Sequence, residues 1–132
     1  MAEQANFAVA GAAEYPDQRY GLICFFDTLH DLGDPVAAAR HAADVLAPGG
    51  TVMLVEPFAH DRVEDNVSPV ARLYYAASTM LCCAHAIAEG GKLVLGAQAG
   101  EARLAEVFRK AGFTHFRRAA ETPFNLIFEI RR

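Results

Sequence analysis

Cysteine is scarce in this 132-residue sequence, which has only three such residues. Cys24 lies in an apolar run, whereas Cys82 and Cys83 are adjacent. An odd count without framework spacing argues against a secreted, disulfide-stapled scaffold. Residues 1–19 also lack the basic head and apolar core of a signal peptide. We therefore predict a reducing, cytoplasmic location.

Positive charge is also in short supply. The chain has 12 Lys and Arg against 16 Asp and Glu, a formal charge of −4. A surface that binds nucleic acid needs clustered basic side chains. The basic clusters here are two short pairs, Arg117-Arg118 and Arg131-Arg132. The sequence therefore predicts no nucleic-acid partner.

Long uninterrupted apolar runs are missing as well. Residues 70–88 approach the length of a membrane span. That stretch contains Arg72, Ser78, Thr79 and His85, and alanine dominates its apolar content. We therefore predict a helix that is buried against protein, and no membrane association.

What is present is a chain that is 53% apolar and long enough for a single domain over residues 1–132. Continuous apolar runs are typical of a parallel sheet that is covered on both faces. One such run, residues 20–27, contains Leu22, Ile23, Phe25 and Phe26, which predicts a buried strand. The predicted strands are residues 6–10, 20–27, 51–56, 114–119 and 125–130, and the predicted helices are residues 36–46, 70–88 and 101–111.

Capping and turn residues mark the ends of these elements. Asp34 followed by Pro35 predicts an N-cap and a first helical residue. Pro48-Gly49-Gly50 closes that helix, and Gly112 ends the helix over residues 101–111. Residues 121–123 are short enough to join the last two strands as an antiparallel hairpin. The order strand, helix, strand over residues 20–57 predicts a βαβ unit.

The loop after the strand over residues 20–27 carries the chemistry-bearing residues. His30 follows the carboxyl end of that strand, where open α/β sheets bind ligands. It can act as a base near neutral pH, or it can cap a turn through Asp31 or Asp34. Asp27 lies nearby, and these three carboxylates would suit Mg²⁺ or Ca²⁺. Since each also has a simpler role as a strand end, a turn residue or a helix cap, we predict no metal site.

Three segments together resemble a known family: FFDTLHDLGDP, VLAPGGTVMLVEP and LAEVFRKAGFTHFRRA. In this order they are similar to the C-terminal portion of class I S-adenosylmethionine-dependent methyltransferases, in particular the small-molecule O-methyltransferases. The resemblance implies an α/β fold with the C-terminal half of a Rossmann-like methyltransferase sheet. Such a sheet is mostly parallel and ends in an antiparallel hairpin, with the last strand antiparallel between two parallel neighbours.

The resemblance also implies roles for individual residues. His30 would remove the proton from the acceptor hydroxyl. Gly11, Ala12 and Phe26 would contact the cofactor, although Gly11 stands where the family usually has an acid that holds the adenine. Asp31, Glu56 and Phe58 would face a small-molecule acceptor. His60-Asp61, in the loop after the strand over residues 51–56, is a weaker candidate for the acceptor site.

The family's Gly-rich turn and the acid that ends its next strand would lie upstream of Met1. We therefore expect the intact enzyme to bind S-adenosylmethionine, and this chain alone to bind it weakly or not at all and to be inactive. The alternative is a truncated, non-enzymatic oligomerisation or regulatory module. A nicotinamide-dependent reductase is disfavoured because no G-x-G-x-x-G follows a strand, and Gly49-Gly50 precedes one.

The same comparison predicts an unpaired sheet edge. In the complete fold the strand over residues 20–27 lies between an upstream strand and the strand over residues 51–56. Without the upstream strand, its unpaired backbone groups are a template for pairing with another chain. We therefore predict a homodimer that buries residues 20–27 and part of the helix over residues 70–88.

Overall fold

Four strands form one sheet, and two helices pack on one of its faces. In the computed structural model, which describes residues 5–132, the strands are β1 (Tyr20–Phe26), β2 (Leu46–Pro57), β3 (His115–Glu121) and β4 (Asn125–Arg131). The α-helices are α1 (Pro35–Val45), α2 (Pro69–Ala77), α3 (Cys83–Ala88) and α4 (Gly100–Lys110).

The strand order is β1-β2-β4-β3. β1 and β2 pair in parallel, and β4 is antiparallel to both β2 and β3. Three strands therefore run in the same direction, and the last strand lies reversed between two of them. The α/β fold with a terminal hairpin is confirmed, although only one of the three pairings is parallel.

The predicted strand over residues 6–10 is wrong. This segment is not part of any strand, and Phe7 and Val9 are fully exposed. A strand is stable only when its backbone groups pair with a neighbour. None of the strands within residues 5–132 lies beside this segment, so its β-favouring side chains have nothing to pair with.

Helices α1 and α4 cover one face of the sheet, here called the covered face. Its buried residues are Ile23, Phe25, Val52, Leu54, Leu126, Phe128 and Ile130. Helix α1 presents a row of buried alanines, and α4 contributes Leu104, Val107 and Phe108, as its apolar spacing predicts. The rings of Phe25 and Phe108 meet edge to face with centroids 6.5 Å apart. This contact joins the edge strand to the helix layer.

The opposite face, here called the open face, is not covered by any element of the described chain. Its residues are Leu22, Cys24, Phe26, Met53, Val55, Ile127 and Glu129, which the register places side by side. Leu22 and Phe26 are more than half exposed. The prediction that residues 20–27 are buried on both faces is therefore wrong, because the described helices pack on one side only.

Residues 70–88 are helical, as predicted, but the helix is neither regular nor buried. A π-helical segment, Ser78–Cys82, separates α2 from α3. The residues turned inward are the small ones, Ala71, Ser78 and Ala86, whereas bulky apolar side chains such as Leu73 and Met80 are exposed. Small residues let the helix lie close to the protein, and the bulky ones have no partner among residues 5–132.

One expectation about local structure is wrong: Pro48-Gly49-Gly50 does not close the helix, because α1 already ends at Val45 and these three residues lie within β2. Two others hold. Asp34 caps α1, its carboxylate accepting a hydrogen bond from the Ala37 N–H at 2.9 Å. Gly112 ends α4 with a φ of 94°, a left-handed conformation that favours glycine. None of the helices within residues 5–132 combines the length and the hydropathy that crossing a bilayer requires.

Candidate functional site

The loop that follows β1 makes a strained turn before it reaches His30. Asp27 has a φ of 44°, in the left-handed region that residues other than glycine seldom adopt. The Thr28 hydroxyl donates a 2.6 Å hydrogen bond to the Phe26 carbonyl. A 3₁₀ turn, Leu29–Asp31, follows, and its fully buried Leu29 anchors it in the core. His30 therefore has a fixed position at the carboxyl ends of the parallel strands β1 and β2.

Glu56, near the end of β2, holds the imidazole of His30. Nδ1 of His30 donates to Oε2 of Glu56 at 2.5 Å, while the Leu29 N–H donates to Oε1 at 3.0 Å. The two side chains are almost fully buried, His30 being 4% exposed and Glu56 2%. Because Nδ1 carries the proton that Glu56 accepts, the neutral ring has its lone pair on Nε2. Nε2 is therefore the atom that can accept a proton or bind a ligand.

Burial and charge oppose one another in this pair. Burial alone would lower the pKa of His30, but the hydrogen bond and negative charge of Glu56, with Asp31 and Asp27, raise that pKa above its ordinary value. Burial raises the pKa of Glu56, against the hydrogen bonds from His30 and the Leu29 N–H. The pair therefore holds one proton firmly between Nδ1 and Oε2, and His30 accepts a second proton on Nε2 more readily than a free imidazole does.

Two further groups lie at Nε2 of His30. Oδ1 of Asp31 is 3.4 Å from it. Sγ of Cys82, in the π-helical segment, lies within 4.8 Å of a ring nitrogen of His30 and of a carboxylate oxygen of Asp31. Oδ1 of Asp31 is buried and has no hydrogen-bond partner among the described residues. The side chain of Asp31 as a whole is 37% exposed. The site is therefore open on the side of Asp31 and closed behind His30.

The other two acids of the loop point elsewhere. Oδ1 of Asp27 accepts from the Asn125 side-chain amide at 2.8 Å. Asp34 caps α1 and pairs with Lys92, whose Nζ lies 2.9 Å from its Oδ2. The simple roles expected of these two residues as a strand end and a helix cap are thus the ones observed.

Two of the three residues expected to contact the cofactor line a groove, and the third does not. Gly11 and Ala12 lie with Glu14, Leu32 and Gly33 around an open groove of about 460 Å³ between the N-terminal segment and the start of α1. Glu14 brings a carboxylate to this groove, beside Gly11. Phe26 lies apart from it, on the open face at the end of β1.

The expected acceptor residues are dispersed. Phe58 follows β2, packs edge to face on His60 with ring centroids 5.1 Å apart, and accepts at its carbonyl from Gln98. Asp61 accepts from the Ala102 N–H at 2.7 Å in the first turn of α4. Since Asp61 holds the start of a helix, the His60-Asp61 pair has a structural task. Of the predicted acceptor residues, only Asp31 and Glu56 touch His30.

Sequence reasoning missed the direct bond between His30 and Glu56, and the approach of Cys82. The position of Glu56 at a strand end was a usable signal, because neighbouring parallel strands end at the same sheet edge. Cys82 carried no such signal, since 50 residues and a helix irregularity lie between it and Asp31.

Comparison with known proteins identifies the family. The family model for a methyltransferase domain matches residues 2–118. No curated protein sequence matches the chain. The solved structures that are similar to this chain show the same fold at low sequence identity, and three of them illustrate how much of each protein is shared.

Human N-acetylserotonin methyltransferase, solved with S-adenosylmethionine, has a TM-score of 0.69 and 18% identity, over 98% of this chain and 34% of that one. An O-methyltransferase family protein from Burkholderia thailandensis has a TM-score of 0.68 and 18% identity, over 98% and 36%. The O-methyltransferase NcsB1 from neocarzinostatin biosynthesis, solved with S-adenosyl-L-homocysteine and 1,4-dihydroxy-2-naphthoic acid, has a TM-score of 0.63 and 23% identity, over 94% and 33%.

The chain thus spans about a third of the length of these structures. This proportion agrees with the expectation that it corresponds to the C-terminal portion of such an enzyme. The family model covers most of the residues, and the observed sheet has the strand order expected of this family. The chain therefore belongs to the methyltransferase domain family.

Proposed function

We propose that this chain is the acceptor side of an S-adenosylmethionine-dependent methyltransferase that methylates a hydroxyl oxygen of a small molecule, with His30 as the general base. The observation that carries the proposal is the buried 2.5 Å bond between His30 Nδ1 and Glu56 at the ligand-binding edge of the sheet. A buried ionisable pair in such a position is more costly than an apolar packing, which favours a functional reason for it.

The chain's residues have distinct tasks in this proposal. When bound, S-adenosylmethionine supplies a methyl group on a positively charged sulfur. His30 takes the proton of the acceptor hydroxyl at Nε2, and Glu56 fixes the ring and stabilises the imidazolium that forms. Asp31, beside Nε2, orients the hydroxyl. The naphthoic acid bound to NcsB1 carries two hydroxyl groups, which supports a phenolic acceptor for this chain as well.

The groove at Gly11 and Ala12 suits only part of the cofactor. Its open, shallow form and the carboxylate of Glu14 fit an adenine, which Gly11, Ala12 and Glu14 would hold. No Gly-rich strand-to-helix turn is present in the sequence to bind the remainder. We therefore expect the isolated chain to bind S-adenosylmethionine weakly or not at all, and to be inactive alone. Calorimetry tests this, and a dissociation constant at or below about 10 μM would contradict it.

The test of His30 uses a protein in which the Gly-rich N-terminal half of a related O-methyltransferase precedes this chain. In that protein, His30→Ala should lower the turnover of a dihydroxynaphthoic acceptor by about a hundredfold or more, as loss of a general base does. Cofactor affinity should stay unchanged. His115→Ala, an exposed histidine of β3, is the matched control. Full turnover by His30→Ala would assign His30 to turn structure alone.

A second candidate function is an association module, and the outer edge of β1 favours it. No strand of residues 5–132 pairs with this edge, and Leu22 and Phe26 expose apolar surface beside it. We propose a homodimer formed through β1, because unpaired edges pair readily with a second copy. Light scattering at micromolar concentration should report twice the 14.3 kDa of one chain. Leu22→Lys should yield monomer, and Val63→Lys, an exposed residue outside the sheet, should not.

Three free thiols, at Cys24, Cys82 and Cys83, support a reducing, cytoplasmic location. Exposed Cys24 lies on the open face, where an oxidising compartment would leave it liable to intermolecular pairing. A fluorescent fusion of the whole chain, compared with a secreted fusion of it, tests this location.

A further inference from the structure

Three ligand atoms of different kinds meet where the 3₁₀ turn faces the π-helical segment. They are a ring nitrogen of His30, a carboxylate oxygen of Asp31 and Sγ of Cys82, and all lie within 4.8 Å of one another. Mg²⁺ and Ca²⁺ prefer oxygen ligands, whereas Zn²⁺ binds imidazole, thiolate and carboxylate together. The mixture of donors therefore points to zinc and away from the hard cations that the acidic loop alone suggested.

We propose that His30, Asp31 and Cys82 form a three-ligand Zn²⁺ site with a fourth position open to solvent. Zinc with bonds of about 2.0–2.3 Å in tetrahedral geometry places its ligand atoms roughly 3.3–3.7 Å apart. Nε2 of His30 and Oδ1 of Asp31 are already 3.4 Å apart. The site then needs only that the partly exposed Cys82 side chain move closer, until its Sγ lies at that spacing from the other two ligand atoms.

The surroundings of His30 match those of a zinc ligand. A histidine that binds zinc usually donates its other ring N–H to a carboxylate, which fixes the ring and makes the free nitrogen more basic. Glu56 accepts that bond here at 2.5 Å and is held in turn by the Leu29 N–H. The ring therefore needs no rearrangement to present Nε2 to a metal.

The unpaired oxygen of Asp31 gives a second, independent reason. Buried polar atoms almost always have a partner, and each exception calls for an explanation such as an ion. Oδ1 of Asp31 is buried, finds no hydrogen-bond partner among the described residues, and faces Nε2. A zinc ion between the two atoms would give this oxygen its partner.

Zinc binding at this site releases a proton. A cysteine binds zinc as its thiolate. The S–H proton leaves to solvent as the Zn–S bond forms, and the sulfur is neither oxidised nor reduced. Binding is therefore expected to weaken as the pH falls.

Zinc bound at this site should also affect catalysis, an expectation that rests on the proposed function. Zinc would take the lone pair of Nε2, the same atom that serves as the base, so zinc should inhibit methyl transfer and a chelator should restore it. The binding of zinc itself does not depend on that function.

The experiment uses the 132-residue chain without an affinity tag. Calorimetric titration with Zn²⁺ should show one ion per chain with a dissociation constant at or below about 10 μM. With Co²⁺ as a probe, a thiolate-to-cobalt charge-transfer band should appear. Cys82→Ser should abolish that band and weaken zinc binding by about tenfold or more, as loss of a metal contact typically does.

Cys83→Ser is the matched control, because Cys83 is the next residue and lies 3.5 Å from the Ser78 hydroxyl, outside the three-ligand group. It should keep both the cobalt band and the zinc affinity. Asp31→Asn, which preserves shape, should weaken binding while circular dichroism remains unchanged. The proposed site would be wrong if no zinc binding were seen at a zinc concentration 100-fold above that dissociation constant. It would also be wrong if Cys83→Ser, and not Cys82→Ser, lost the cobalt band.

Inhibition is measured separately in the protein with the restored N-terminal half. Zinc that binds and inhibits supports both proposals. Zinc that binds without slowing turnover supports the metal site and overturns the role of His30 as base.

Discussion

The two faces of the sheet belong to the same four strands but have opposite environments. On the covered face, Leu54 and Phe128 are fully buried beneath α1 and α4, while on the open face Leu22 is 56% exposed and Phe26 is 58% exposed. Both faces are apolar in sequence. The difference shows that apolar composition alone does not decide whether a strand face is covered within residues 5–132.

The candidate site lies where the two faces meet. Glu56 continues the covered face beyond Val52 and Leu54, and so its carboxylate is buried. Asp27 ends the edge strand and bonds to Asn125 across the sheet end. The His30–Glu56 pair is therefore buried next to the helix layer, and the partly exposed Asp31 is its neighbour toward solvent. Four sets of substitutions test this contrast between the two faces.

The largest effect is expected from truncating matched leucines on the two faces. Leu54→Ala should lower the free energy of unfolding by about 2–5 kcal/mol, because it removes buried contacts and leaves a cavity. In the single chain, Leu22→Ala should change it by less than about 1 kcal/mol, since the side chain is 56% exposed there, whereas burial in the proposed homodimer would raise that cost. Urea denaturation of both variants measures the difference. Equal losses would show that the open face is buried in solution, as in a dimer.

Glycines in packed and open positions should respond differently to an added methyl group. A Cβ at Gly33 would lie 2.9 Å from Cβ and the carbonyl oxygen of Glu89, so Gly33→Ala should cost about 1–3 kcal/mol through overpacking. A Cβ at Gly21 meets nothing within 4 Å. Gly21→Ala in β1 should therefore be neutral or stabilise the chain by up to about 1 kcal/mol. Thermal denaturation of the pair decides, and destabilisation by Gly21→Ala would mean that the edge is occupied.

A smaller effect is expected at the cap of the helix that covers the sheet. Asp34→Ala should cost about 1 kcal/mol by removing the bond to the Ala37 N–H. The bonds to Lys92 and to Ala37 lower the pKa of Asp34 below its ordinary value. Its contribution to stability is therefore present above the ordinary pKa and is lost as the pH falls through the folded value. The gap between wild type and Asp34→Ala should close in acid, and a gap that persists there would exclude the carboxylate as its source.

The subtlest change compares a carboxylate on each face. Glu56→Gln should lower the pKa of His30, because the buried negative charge that favours the imidazolium is gone. Glu129→Gln, on the open face beside Arg117 and Arg131, should leave that pKa unchanged. Titration of the His30 ring by NMR measures both variants. An unchanged His30 in Glu56→Gln would remove Glu56 from the proposed mechanism.

The order of elements and the covered core could be predicted from sequence because their signals are local. Asp34-Pro35 starts α1, Gly112 ends α4, and Leu104, Val107 and Phe108 repeat at helical spacing. The predicted strand over residues 6–10 failed for a non-local reason. Its side chains favour a strand, but pairing requires a neighbour, and propensity does not supply one.

The site was predictable in part. The position of His30 followed from the rule for sheet edges, and so did the nearness of Glu56. That Glu56 bonds to the ring, and that Cys82 reaches Asp31, depends on side-chain packing between distant segments. The irregular turn at Ser78–Cys82 helps to bring Cys82 to Asp31. Its five residues are compatible with a regular helix and include no glycine or proline that would predict the irregularity.

The π-helical segment also constrains how this stretch can vary in length. A π turn holds one residue more than an α turn, and each residue of a helix advances the chain by about 100° around its axis. Deleting one residue between Ser78 and Cys82 would restore a regular helix and turn everything after it by that angle. Ala86 would leave its contact with Gly33, and Glu89 would no longer accept from the Gly33 N–H. The exposed side chains of this stretch are free to change identity, but its residue count is not.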